Sequence, residues 1–508
     1  MKRAIASSVG IAGTALVFTT VALGPVIGAV KVDTGQLRDA VTVDGVRDHQ
    51  QAFQDIADAN GGVRRAGTPG YDESATYVAD QMTAAGYDVT IQPFDFLSFE
   101  VLGPSTLEQT APAAVVYVEE TDFNLLDQTD PGDVSGLVTA VDLDLGPDNA
   151  STSGCEVDDF IGFPAGDIAL IQRGACTFQL KAENAAAAGA VGAIIFNQGN
   201  TPDRTGLINA TLSADYAGGI PVFFATTARG EEWAGTTGLE LHMIADVFRG
   251  MVTTTNVIGE TPGGRDDRVV VVGAHLDSVR QGPGIQDNGS GSAAILEVAV
   301  QMADLNIEPR NKVRFAWWGA EESGLVGSQF YVDNLSARDI KDIALNLNLD
   351  MIGSPNFVRF VYDGNGSDTP LAGPNGSKNI ESVFLDYFDG QGLPTEPTAF
   401  DGRSDYGPFI AIGIPAGGLF TGAEGIKTED EVAIYGGTAG DQYDPCYHLA
   451  CDTFDNISLE VLDQMSDAVA HAVLTFAMTT SSVNGTDKGK GKGTWEGGMA
   501  FRGSMAVK

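Results

Sequence analysis

Histidine, cysteine and positive charge are all scarce in this chain. Its 508 residues include 5 histidines, 4 cysteines and only 29 lysines and arginines, against 68 aspartates and glutamates, for a formal net charge of −39. So acidic a surface repels nucleic-acid phosphates and anionic membranes, and no nucleic-acid partner is expected. No Cys-x-x-Cys pair occurs, which argues against a thiolate metal site. The segment GDIALIQRGACTFQLKAENAAAAGAVGAIIFN (166–197) reads strand, helix, strand but lacks a phosphate-binding glycine fingerprint, so no nucleotide site is read there. Beyond the amino terminus, no segment is long and apolar enough to span a bilayer.

The amino terminus begins MKR and then runs uncharged from Ala4 to Val30, a basic region followed by an apolar one, with small residues near Ala29. Residues 1–29 are expected to be a signal peptide, giving a secreted, extracellular protein with no stable membrane association after cleavage. A retained membrane anchor is the alternative. In an exported chain, an even cysteine count suggests two disulfides. Cys155, Cys176, Cys446 and Cys451 allow three pairings, and the sequence does not choose among them. Locality favours Cys155 with Cys176 and Cys446 with Cys451.

What is present suits a large globular protein. Hydrophobic content is 43%, and the length suggests two or three domains. Residues 35–100 read as helix, helix, strand. DESATYVADQMTAAG (72–86) has helical spacing, with Asp72 as N-cap and Gly86 as the stop. YDVTIQPFDF (87–96) alternates like a strand. Residues 103–250 are rich in short β-like runs. From 253 onward strands and helices alternate: VVVVGAH (269–275), VRFAWW (313–318) and IALNLNLD (343–350) are strand-length apolar runs, and the last helix is placed at about 456–478. The Lys/Gly-rich stretch 483–508 reads as a flexible tail.

Chemistry-bearing residues cluster where those apolar runs end. His275 ends the first, Glu321 and Glu322 follow FAWWGA, and Asp350 ends NLNLD. Asp287 lies one loop beyond the first run, and His448 lies in PCYHLAC. In an open α/β sheet such positions converge on one crevice at the carboxyl ends of the strands. Histidine with carboxylates and no cysteine is a zinc set of the catalytic type. Two histidines and at least three carboxylates exceed what one ion needs, and a two-metal site with a bridging carboxylate absorbs the surplus. Each motif alone has a plainer reading, such as a polar loop residue, an acidic helix start or a turn cap; the ordered set does not.

With GAHLDSV, GIQDNGSGSAA, VRFAWWGAEESGLVGSQFYV, LNLDMIGSP, DGRSDYGPF, GIPAGGLFTGA and PCYHLACD, residues 253–478 closely resemble the secreted bacterial di-zinc leucyl aminopeptidases. IADANGG and GTPGY match that family's amino-terminal helices. The RGACTF turn and AGAVGAIIFN look like a protease-associated domain, an insertion known in the family, and Cys155 and Cys176 sit where that domain often has a disulfide. The resemblance implies an α/β fold with a mixed, mostly parallel sheet and helices on both faces. The catalytic domain would be discontinuous, 35–102 and 250–482, around a β-rich insert at 103–249 that covers the cleft or binds substrate proteins.

It also implies roles. Asp287 would bridge two zinc ions, one also held by His275 and Asp350, the other by Glu322 and His448. Glu321 would be the general base acting with zinc-activated hydroxide, and Tyr447 would stabilise the oxyanion. Asp277 would accept a hydrogen bond from the His275 ring. Arg403 and Phe420 would meet substrate, Phe420 lining the pocket for the first side chain. Asp463 and Asp467 match a carboxylate pair of a calcium site whose amino-terminal partner is not recognisable here. Tyr406 departs from the family, where histidine is frequent, and a modest effect on substrate contacts is expected. The expected activity is removal of amino-terminal residues, large and apolar ones such as Leu, from peptides or proteins with a free amino terminus. Two alternatives share these domains. A glutamate-carboxypeptidase-like enzyme would need a basic pocket, for which only Arg403 stands out. A receptor-like binding protein would not need the full ligand set.

Overall fold

The computed structural model describes residues 32–485, so the expected signal peptide and residues 486–508 lie outside the described residues. Two eight-stranded sheets organise the chain. The first runs in the order Asp88–Val101, Val247–Glu260, Asn311–Trp318, Arg265–His275, Ile343–Leu349, Ala416–Phe420, Phe360–Tyr362, Glu396–Thr398. Its centre is parallel: Arg265–His275 pairs in parallel with both neighbours, and Ile343–Leu349 with Ala416–Phe420. Antiparallel pairing enters on either side of that centre, so the sheet is mixed, as expected.

Valines 269–272 explain why the first of these runs is central. All four are buried, and alternate members enter two different cores. Val270 and Val272 join the large core, which gathers Phe53, Val78, Leu296 and Val469 from four helices. Val269 and Val271 face a smaller core on the opposite side, with Trp318, Tyr331 and Phe409. A strand buried on both faces has to read as a continuous apolar run.

The second sheet lies within the insert. It contains the expected strand–helix–strand unit as Ile168–Gln172, Phe178–Ala187 and Gly192–Phe196, with the two strands parallel. Separate apolar clusters cover its faces. The two sheets communicate through one antiparallel ribbon, Asp88–Val101 paired with Val247–Glu260 from Asp88↔Glu260 to Val101↔Val247. The chain therefore leaves the first sheet after Val101 and rejoins it at Val247, three residues earlier than the sequence suggested.

Two other expectations are corrected. The helix read from Asp72 begins at Pro69, with Thr68 as N-cap. Proline's fixed φ suits the first helical position, and Asp72 sits in the first turn, where its charge favours the dipole. The tail does not begin at 483: Ser481–Asn484 forms a helical turn, Val483 is buried, and Asn484 Nδ2 donates to Ala344 O at 3.0 Å. The lysines and glycines that suggested mobility come later in the chain.

Candidate metal centre

The carboxyl edge of the parallel strands gathers the ligand-type side chains. His275 pairs in register with Trp318, so their strands end level, and Asp350 immediately follows the next strand. After Trp318 the chain turns through Gly319 and Ala320, with φ +56° at Ala320, to present Glu321 and Glu322. Asp287 precedes the helix Gly289–Asp304. That helix starts close against the strand end: a Cβ on Gly291 would lie 2.3 Å from Leu349 O. The small residues after Asp287 are thus a packing requirement.

His275 Nε2 lies 3.1 Å from Asp287 Oδ1 and 3.4 Å from Asp350 Oδ1. His448 Nε2 lies 3.2 Å from Asp287 Oδ2 and 3.2 Å from Glu322 Oε2. One carboxylate therefore turns one oxygen to each histidine. Among the described residues, His275, Glu321 and Asp350 form one group of ligand atoms within 4.8 Å of one another, and His275, Asp287 and Glu322 form another. Asp350 Oδ1 is buried and accepts no hydrogen bond. A buried anion of this kind calls for a cation. Nitrogen and oxygen donors at this spacing, with no thiolate, fit zinc.

The electrostatics point the same way. Burial pushes the Asp287 carboxyl up, but the hydrogen bonds and charges of His275 and His448 outweigh it and hold it below the ordinary range. Burial lowers both imidazoles, yet the surrounding carboxylates more than reverse this: Glu321 and Asp350 raise His275 well above its usual value, and Glu322 with Asp287 raises His448 to about 11. Glu321 and Glu322 are both raised by burial, partly offset by the histidines. The surrounding carboxylates thus favour positive charge on both imidazoles, as they would favour a metal cation; metal binding would release such protons, because a ligating histidine is neutral.

Asp277 acts differently from expectation. His275 Nδ1 meets the Asp277 backbone carbonyl at 3.1 Å, and the carboxylate is more distant at 3.8 Å. The carboxylate instead accepts the backbone N–H groups of Glu321 (3.0 Å) and Glu322 (3.3 Å), fixing the turn that carries them. Burial raises this carboxyl to about 7, against the lowering effect of His275.

Tyr447, Arg403 and Phe420 line the same cleft, a cavity of about 80 Å³ over the ligand cluster. The Tyr447 ring stacks on His448 at 3.8 Å. Arg403 donates to Glu424 at 2.8 Å and reaches the Tyr447 hydroxyl at 3.4 Å. Phe420 stacks on Phe360. Tyr406 does not reach the cleft: it is buried between Tyr362 and Phe400, and its hydroxyl donates to Asp401, two residues before Arg403. Its influence runs through the loop it braces. Asp463 and Asp467 belong to no ligand group among the described residues; Asp467 faces Arg38 at 3.7 Å and accepts from the Tyr387 hydroxyl at 3.3 Å. The disulfides are Cys155–Cys176 and Cys446–Cys451, and the second brackets Tyr447 and His448.

Several supporting residues had escaped the sequence reading. Ser404 Oγ donates to Asp350 Oδ2 at 2.5 Å, and Asn348 in turn donates to Ser404. Asp452 accepts from the backbone N–H groups of Gln286 and Asp287 at 2.8 and 3.0 Å. Arg64, fully buried, donates to the carbonyls of Pro283 and Gly284, closing the loop before Asp287. Ser404 in DGRSDYGPF, Asn348 in IALNLNLD and Asp452 in PCYHLACD lay inside quoted motifs without a role, and Arg64 lay in none of them.

A buried nitrogen-and-oxygen donor set at the strand ends of an α/β sheet fits a metal-dependent hydrolase. The chain belongs to peptidase family M28: residues 256–473 match that family, and residues 134–233 match the PA domain. An aminopeptidase of Pseudomonas aeruginosa is 55% identical over 434 residues, covering 85% of this chain and 81% of the relative. Leucine aminopeptidase 2 of Trichophyton equinum is 45% identical over 333 residues, covering 65% of this chain and 66% of the relative. The structure of a zinc aminopeptidase from Bacillus subtilis superimposes with a TM-score of 0.57 at 26% identity, covering 89% of this chain and 99% of that one.

Proposed function

We propose that this M28 peptidase is a secreted aminopeptidase that holds two zinc ions and releases amino-terminal residues, large apolar ones such as Leu among them. The observation that carries the reading is the Asp287 carboxylate, with Oδ1 toward His275 and Oδ2 toward His448. His275 and Asp350 would complete one zinc set, Glu322 and His448 the other. Zinc, when bound, supplies Lewis acidity that lowers the pKa of water and polarises a carbonyl.

The chain's own residues do the rest. Glu321, 3% exposed and grouped with His275 and Asp350, takes a proton from water and passes it to the leaving amine. Its backbone is anchored by Asp277, so its carboxylate is aimed before substrate arrives. Tyr447, oriented by Arg403 and stacked on His448, donates to the developing oxyanion. The carboxylate-rich floor favours a substrate's α-ammonium over a carboxylate, which separates this reading from a carboxypeptidase. Phe420 offers an apolar wall to the first side chain. The names of the relatives support the same substrate end. Calcium is not assigned to Asp463 and Asp467, because Arg38 already supplies positive charge there. We assign residues 35–101 and 247–484 to the peptidase domain and 102–246 to the insert.

The test compares three substrates on enzyme of measured zinc content. Leu-p-nitroanilide should be cleaved, acetyl-Leu-p-nitroanilide and a blocked acidic dipeptide should not, and chelation should abolish the activity until about two equivalents of zinc are restored. Cleavage of the acidic dipeptide alone would favour the carboxypeptidase. A metal-free, inactive protein would favour a receptor.

A further inference from the structure

A second cleft opens beside the metal centre, and Glu322 lines both. Its cavity of about 350 Å³ is in the size class of pockets that hold extended ligands, which run from about 300 to 1,000 Å³. Three parts of the chain build it: the ribbon strand contributes Leu97, Phe99 and Val101, the peptidase contributes the 278–281 loop with Glu322 and Ser323, and the insert contributes Asp127 and Gln128.

The walls are held in place from both sides. The Glu100 carboxylate takes Arg65 at 2.9 Å with one oxygen and Arg280 at 3.1 Å with the other. Arg280 also donates to Leu102 O at 3.1 Å. These bonds tie the ribbon, and with it the root of the insert, to the loop that follows His275. Both guanidinium groups are occupied in this fastening. On the insert side, Gln128 has φ +64°, a left-handed conformation unusual for a residue with a side chain. Its Oε1 is buried and accepts no hydrogen bond. The Gln128 side chain lines the cleft, and when its amide turns toward the opening, an extended peptide, with backbone N–H groups and side chains alternating to either side, supplies the donor that its oxygen lacks.

We propose that this cleft receives the stretch of peptide beyond the scissile bond, with backbone N–H groups donating to Gln128 Oε1 and the Asp127 carboxylate and an apolar side chain resting on Leu97, Phe99 and Val101. The inference rests on the aminopeptidase reading, since it needs the substrate's amino end at the metal centre. It gives the insert a defined part in selection: the enzyme favours unstructured peptides of three or more residues over amino-acid amides and dipeptides.

The experiment measures kcat/KM for Leu-p-nitroanilide, Leu-Ala and Leu-Ala-Ala-Ala. The native enzyme should favour the tetrapeptide over the dipeptide by about tenfold. Gln128→Ala and Asp127→Asn should each lower the tetrapeptide-to-nitroanilide ratio by about fivefold, the scale of one lost hydrogen bond to a buried group. No gain with length in the native enzyme overturns the proposal without the use of any variant. So does a ratio that neither substitution moves. A native, zinc-loaded enzyme that leaves Leu-p-nitroanilide intact overturns the aminopeptidase reading and the inference with it, and is told apart by that substrate alone.

Discussion

Glu321→Gln is the substitution on which the assignment of the centre turns. Glu321 belongs to a ligand group with His275 and Asp350, yet its Oε2 lies 3.9 Å from His275 Nε2, farther than Asp287 or Asp350. On the proposed two-zinc reading it would serve as the base. Glutamine preserves its shape and its backbone bond to Asp277 but removes the ability to accept a proton. General-base catalysis contributes about 10²- to 10⁴-fold, or roughly 3–5 kcal/mol of barrier. The expected result is a fall of that size in kcat on Leu-p-nitroanilide, with about two zinc ions retained by elemental analysis after exhaustive dialysis. Zinc content falling to one would make Glu321 a ligand. Activity within tenfold of native with full zinc would refute its role as base.

Two further predictions follow from features around the centre. Replacing Cys446 and Cys451 together by Ser should lower kcat/KM by about tenfold, roughly 1.4 kcal/mol, because the loop that holds Tyr447 and His448 (φ +57°) loses its tie; unchanged kinetics in the double variant would show that the loop holds itself. In the insert, Lys181 is fully buried with its ammonium donating to Ser153 O, and burial lowers it to about 8 from 10.5. Between those values the unfolded chain binds more protons than the folded one, so stability rises with pH across that window and the penalty is fully present below 8. Lys181→Met should flatten that rise in thermal melts from pH 8 to 10.5, and identical slopes in the two proteins would refute it.

The legible part of this protein was what local patterns encode. Four consecutive valines read as a strand buried on both faces, which put His275 at a sheet edge; the other apolar runs in the ordered set placed Asp350 and the Glu321–Glu322 turn in the same way. Illegible were contacts between residues distant in sequence with no pattern of their own. Nothing in the sequence says that Arg64 closes the loop around Pro283, or that Ser404 braces Asp350. The role of Asp277 was misread for a related reason: its carboxylate serves a turn 44 residues away, while its backbone carbonyl serves the neighbouring histidine. Tyr406 was expected to have a modest effect on substrate contacts, but its side chain turns inward to Tyr362 and Phe400.

The ribbon between the two sheets also bears on how such a chain folds. Strand pairing from Val101↔Val247 to Asp88↔Glu260 requires segments far apart in sequence to meet, a closure that is slow when it must be found by search. If the insert folds first, its own sheet brings its two ends together, and the ribbon can zip outward from Val101 and Val247 as a hairpin does from its turn. The peptidase sheet would then acquire its edge strands through a short effective loop, whatever the length of the insert. On this view the insert is a folding scaffold for the enzyme that carries it. Destabilising its core should delay the appearance of activity on refolding more than it lowers the activity finally recovered.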